Sequence, residues 1–190
     1  MARHKEFDRE VVLSKAMDTF WHQGYEGTSI QDLVKSMGIN RGSLYDTFGD
    51  KRSLFLEAIA HYDETVAKGV IASLEAPEAS KPAIVALFEG VADGVQDRRG
   101  CLITNTVVEL CPHDPDTARR ISGNLKRLER AFYVALKRAQ EKGEVGGDRD
   151  ISALASFLLC CMQGLRVTSK IHPDPQYLGG IVRVAVSALD

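Results

Sequence analysis

The chain has little of what would mark an enzyme, a secreted scaffold or a membrane protein. It lacks a Gly-x-Ser-x-Gly elbow, a phosphate loop ending in Gly-Lys-Ser/Thr, a GxGxxG after a strand and an HExxH pair, so the common signatures of hydrolases, nucleotide enzymes and metalloproteases are missing. Five histidines are scattered without ligand spacing, and His113 beside Asp114 and Asp116 reads as a loop that caps a helix rather than a metal site. No cofactor or metal is implied. The four cysteines, Cys101, Cys111, Cys160 and Cys161, have no CxxC spacing for zinc, and in a cytoplasmic chain they would stay reduced rather than form a structural framework. No run of roughly 18 apolar residues suggests a membrane span, and the start ARHKEFDRE lacks the apolar core of a signal peptide. The expectation is a cytoplasmic protein with no membrane partner.

Charge of one sign is also missing. Lys and Arg number 24 against 26 Asp and Glu, for a net charge of −2. Residues 1–55 hold eight of each sign. Affinity for nucleic acid cannot then rest on bulk charge; it must come from placed contacts, for which Arg3, Lys5, Arg41 and Lys51 are the candidates.

What is present is helical punctuation, concentrated in TSIQDLVKSMGINRGSLYDTFGDK from Thr28 to Lys51. Thr28 followed by Gln31 reads as a capping box. Ile30, Leu33, Val34 and Met37 share one helical face, Gly38 supplies a left-handed stop, and Asn40 caps a second helix from Arg41 to Phe48 that buries Leu44 and Phe48. Two short helices joined this way form a helix-turn-helix. DNA-reading helices contact base edges with their N-terminal residues, here Arg41, Gly42 and Ser43. Arg41 can donate two parallel bonds to guanine, Gly42 lets backbone approach a phosphate, and Tyr45 and Thr47 lie one turn along. Lys51 adds charge to the start of the next helix, capped by Asp50, a combination suited to phosphate. Asp46 opposes phosphate and leaves the operator sequence open. The competing reading is a tight helical hairpin in a ligand-binding or interaction protein that does not bind DNA.

TSIQDLVKSMGINRGSLYDTFGDKRSLF resembles the DNA-binding domain of TetR-type transcriptional repressors, most strongly over residues 8–60. The resemblance implies that Thr28 and Ser29 clamp a phosphate, that Arg41, Gly42, Ser43, Tyr45 and Thr47 face the groove, and that Lys51 lies on the DNA backbone. It implies an all-α fold, with a three-helix head in residues 1–50 and a larger helical effector-binding and dimerisation domain in residues 51–190. The implied partners are a palindromic double-stranded operator, a second copy of the chain and a small-molecule or electrophilic effector.

The rest of the chain reads as helices broken at residues 75–82, 97–100, 112–115, 142–148 and 171–175, with no strand alternation. Asp116 to Glu141 repeats Ile121, Leu125, Leu128, Phe132 and Leu136 on one face and is basic on the other, which reads as solvated. Ile151 to Lys170 and Tyr177 to Leu189 are apolar on more than one face and need cover on two sides. In TetR-like proteins the last two long helices form the dimer bundle.

Two readings of the signal remain open. Cys101 follows Arg98, Arg99 and Gly100 and opens a helix, so cations and the helix dipole favour its thiolate. Cys111 lies ten residues on, about 15 Å away along a helix. GCL, the later Glu-Leu-Cys and Lys170 resemble the branch of TetR-type repressors that senses electrophiles and hypochlorous species, where Lys170 would partner oxidised Cys101. The other reading is reversible binding of an apolar molecule among Phe88, Leu102, Thr106, Phe132 and Met162, although such a stripe also describes filled core.

Overall fold

A computed structural model describes residues 7–94 and 98–190; Arg3, Lys5 and the start of the 97–100 break lie outside that range. All regular structure among the described residues is helical, without a strand. The head comprises α1 (Arg9–Gln23), α2 (Ile30–Met37) and α3 (Arg41–Phe48), and α4 (Lys51–Tyr62) leads out of it. A π-helical turn over Asp63–Ala67 passes directly into α5 (Lys68–Glu75). The body adds α6 (Lys81–Asp93), α7 (Leu102–Glu109), α8 (Pro115–Glu141), α9 (Ile151–Ile171) and α10 (Pro175–Ser187).

Local chemistry sets the helix starts. Asp8, Asn40, Asp50, Asp114, Asp150 and Asp174 each accept a backbone N–H at a helix N-terminus, meeting donors that have no intrahelical partner. The start of α2 differs from the sequence reading by one residue. The cap is Ser29, whose hydroxyl accepts from Asp32 N at 3.1 Å while the Asp32 carboxylate accepts from Ser29 N at 3.0 Å. Thr28 is fully buried and donates instead to the Gly24 carbonyl at 2.6 Å, closing the end of α1.

Two hydrophobic cores result. The first joins Val12, Ala16 and Phe20 of α1 to Leu33, Leu44, Phe55 and Tyr62, and continues into Cys101, Leu102 and Ile103 around the start of α7 and Ile121 of α8. The second gathers Phe88, Phe132, Leu136, Leu158, Met162 and Val182 from α6, α8, α9 and α10. The basic face of α8 is used as well as solvated: Arg138 donates to the carbonyls of Leu74, Glu75 and Ala76, which end α5, as suits a cation at a helix C-terminus.

Candidate nucleic-acid interface and effector site

The reading surface is α3. Asn40 Oδ1 holds Ser43 N at 2.8 Å, and buried Leu44 and Phe48 pin the opposite side of the helix. Arg41, Gly42, Tyr45 and Asp46 are thereby turned outward, with Ser43 and Thr47 partly exposed. The Arg41 guanidinium lies 5.6 Å from the centre of the Tyr45 ring and donates to its hydroxyl at 3.3 Å, so the two side chains share one patch. A Cβ on Gly42 would come 3.3 Å from Asn40 Oδ1, so glycine keeps the cap unhindered. Thr47 donates its hydroxyl to Ser43 O at 2.6 Å.

At the flank, the Lys51 ammonium sits 4.3 Å above the Tyr25 ring, beside the α4 N-terminus. Ser29 is exposed at the N-terminus of α2. Thr28, expected to share its phosphate, has its hydroxyl turned inward onto Gly24 and no exposed surface. That contact orders the turn behind Ser29 and leaves no donor for DNA.

The second site is a cavity of about 40 Å³ where the π-helical turn and α5 meet α8 and α9. Its lining includes Tyr62, Val66, Val70, Cys101, Leu125, Leu128, Asn124, Gln163 and Arg166. None of Phe88, Leu102, Thr106, Phe132 and Met162 is among them. Leu102 and Thr106 are buried around the head core, and the Thr106 hydroxyl is spent on Leu102 O at 2.8 Å. Phe88, Phe132 and Met162 are filled body core, with the two rings 6.2 Å apart. Interdigitation closes the space that a stripe of large side chains suggested.

Cys101 stands at the N-cap of α7, 4% exposed. Burial is the largest influence on its thiol and opposes ionisation. The Arg166 guanidinium, the Thr104 N–H and hydroxyl, and the Tyr62 hydroxyl together outweigh it and hold the pKa below its ordinary value. The Tyr62 hydroxyl lies 3.6 Å from the sulfur, and burial followed by the neighbouring cysteine charge pushes its own pKa up. The cation on the sulfur is therefore Arg166, whereas the Arg99 guanidinium stacks 3.8 Å from the Trp21 ring and pairs with Asp18 at 2.7 Å. Lys170, one turn beyond Arg166 on α9, donates to Asn105 Oδ1 at 3.1 Å. Its chain runs so close to Gly100 that a Cβ there would lie 3.0 Å from Lys170 Cδ; with φ at +71°, that position suits only glycine. Cys111 lies beyond α7, outside the cavity lining, and burial followed by Asp114 raises its pKa.

The sequence marks neither the role of Arg166 nor the contact made by Glu109. Arg166 is the first charged residue after Asp150 in an apolar helix, a setting in which a cation needs a partner. Glu109, at the far end of α7 from Cys101, accepts from Tyr25 N at 2.9 Å and Glu26 N at 2.8 Å. A contact across more than eighty residues leaves no local mark.

The outward face of α3 decides the class: a capped two-helix turn that projects an arginine-led helix belongs to a helix-turn-helix transcriptional regulator. Residues 12–58 match the bacterial regulatory proteins of the tetR family, and residues 80–185 match the tetracyclin repressor-like C-terminal domain. The chain belongs to the TetR family of transcriptional regulators. It is 44% identical, over all of both chains, to the HTH-type transcriptional regulator YezE of Bacillus subtilis (strain 168). It is 33% identical to the HTH-type transcriptional repressor ComR of Escherichia coli (strain K12), covering 88% of this chain and 82% of that protein. Among solved structures, a triple cysteine variant of the TetR family regulator CifR, complexed with 26-base-pair double-stranded operator DNA, superposes with a TM-score of 0.87. That pair is 29% identical over 99% of this chain and 100% of the other.

Proposed function

We propose that the protein is a cytoplasmic homodimeric repressor that grips a palindromic operator through α3 and lets go when an effector acts at the Cys101 cavity. The carrying observation is the chain of contacts from that sulfur to the head. Tyr62, against Cys101, meets the Trp21 ring edge-on at 4.9 Å. Arg99 lies over the Trp21 ring at 3.8 Å, and Glu109 holds the loop between α1 and α2. A shift of α7 therefore bears on α1 and α4 together, and with them on the spacing of two recognition helices that must sit about 34 Å apart on DNA. DNA is released only if the effector favours the mismatched spacing.

The dimer reading rests on α9 and α10. Phe157, Val167, Ile171, Tyr177 and Val184 are 42%, 44%, 73%, 49% and 73% exposed in the single chain. α9 is long and apolar enough to span a membrane, and only 28% of its apolar window is buried. A partner copy covers such a face, as the family resemblance implies. Residues 1–50 then act as the reading head and 51–190 as the effector and dimerisation domain.

The effector reading favoured by the buried, cation-assisted sulfur is a small electrophile. The Cys101 thiolate adds to the β-carbon of an α,β-unsaturated carbonyl compound, forming the S–C bond, while the alkene pair moves to the α-carbon and takes a proton from solvent. Lys170, through Asn105 and Gly100, would steady the loop that carries the sulfur. Gel shift tests the scheme. Arg41→Ala is expected to weaken operator binding by about 1–3 kcal/mol per half-site, and salt to weaken it steeply. Treatment with acrolein is expected to release DNA from the natural chain and not from Cys101→Ser. Release from both would move the signal away from Cys101, and a monomer in sedimentation would remove the α9–α10 interface.

A further inference from the structure

We infer that the Cys101 cavity also binds a small aliphatic carboxylate reversibly, its head on Arg166 and its short chain against Val66, Val70, Leu125 and Leu128. The inference rests on reading this cavity as the effector site and names a ligand class for it that needs no reaction at sulfur. Three observations carry it. First, the lining holds one permanent cation, Arg166, and neither an aspartate nor a glutamate. Arg166 is mostly buried, and the groups that interact with it are Cys101 and Tyr62, with no carboxylate; among the described residues it makes no ion pair. A guanidinium removed from water without a full counter-charge is a ready anion site, and its planar fork matches a carboxylate.

Second, Asn124, contributed to the lining by α8, accepts from Arg127 with its side-chain oxygen at 3.2 Å. Arginine can only donate, so the Asn124 amide N–H groups remain for a ligand acceptor. Third, the cavity is small, about 40 Å³, well below the volume of a pocket for a drug-sized ligand, which suits a short-chain carboxylate such as a three-carbon acid. The thiolate of Cys101 and the incoming carboxylate would use the same cation, so the two signals compete for Arg166.

The test uses the full-length dimer with sodium propionate, and neutral propionamide and sodium chloride as controls for shape and ionic strength. Propionate is expected to raise the melting temperature by about 2–4 °C as it passes saturation and to alter the fluorescence of Trp21, the single tryptophan. Propionamide is expected to bind at least about ten-fold more weakly, since it forfeits the charge-assisted bonds. Arg166→Lys should keep a reduced response and Arg166→Met none, each judged against its own unliganded melting curve. Equal responses to propionate and propionamide, or an undiminished response in Arg166→Met, would overturn the inference. Acrolein-driven DNA release, measured on the same preparation, separates the two readings: release without propionate binding removes the carboxylate site and leaves the effector cavity standing.

Discussion

The head core interlocks aromatic rings, while the body core is built mainly from aliphatic side chains and alanine. In the head, Phe20 meets Phe55 edge-on at 5.0 Å, Tyr25 meets Phe55 at 4.9 Å and Trp21 meets Tyr62 at 4.9 Å. In the body, Ala131, Ala135 and Ala139 line the buried face of α8, which lets neighbouring helices approach closely. Rings at these separations resist sliding, because each fixes the orientation of the next. Smooth aliphatic surfaces constrain orientation less. The contrast teaches that the head is built to move as one piece, and that Cys101 belongs to that core while facing Arg166 of the body.

The strongest way to break the contrast is to empty each core in turn. Phe55→Ala and Phe132→Ala are each expected to cost about 3–5 kcal/mol in urea unfolding. Below the unfolding range, Phe55→Ala should also shift Trp21 fluorescence and reduce operator binding, while Phe132→Ala should leave Trp21 as it is. A Trp21 signal that changes equally in both would merge the two cores into one.

A smaller effect is expected from Glu109→Ala, which strips the acceptor from two backbone N–H groups between α1 and α2. It should cost about 1–3 kcal/mol and, more tellingly, leave Cys101 alkylation intact while weakening its effect on DNA release. Full release in gel shift would show that the signal bypasses α7.

The smallest effect belongs to the surface tie between Arg52 of α4 and Asp114 at the N-cap of α8, where one guanidinium nitrogen reaches both carboxylate oxygens at 2.9 and 2.7 Å. The Thr117 N–H, then Arg52 and the Thr117 hydroxyl, hold the Asp114 pKa down at about 2. A depressed carboxylate adds stability above its unfolded pKa of about 4, and that stability is lost as pH falls toward 2. Arg52→Ala is expected to move the acid-unfolding midpoint upward slightly, with little change at pH 7; an unchanged midpoint would show that the N-cap bonds alone hold Asp114.

Much of the outline was legible in the chain. Gly38 takes the left-handed conformation at φ +71°, Asn40 and Asp50 cap where expected, and Leu44 and Phe48 are the buried side of α3. The capping box was misplaced by one residue, because Thr28 and Ser29 are both competent caps and the choice depends on the carbonyl of Gly24 behind them. The pocket was misplaced because a stripe of Phe, Leu and Met says which face is buried and not whether burial leaves a void. The basic face of α8 looked solvated because the α5 carbonyls that Arg138 serves come from a segment more than sixty residues away.

Caps, glycines and apolar periodicity act within a few residues of one another, so most helix boundaries, the turn that projects α3 and the family of the protein are written along the chain. It took packing in three dimensions to make Arg166 rather than Arg98 or Arg99 the partner of Cys101, to open the cavity beside the π-helical turn and to tie α7 to the head through Glu109. Those arrangements depend on distances between residues far apart in the chain, and packing alone sets such distances.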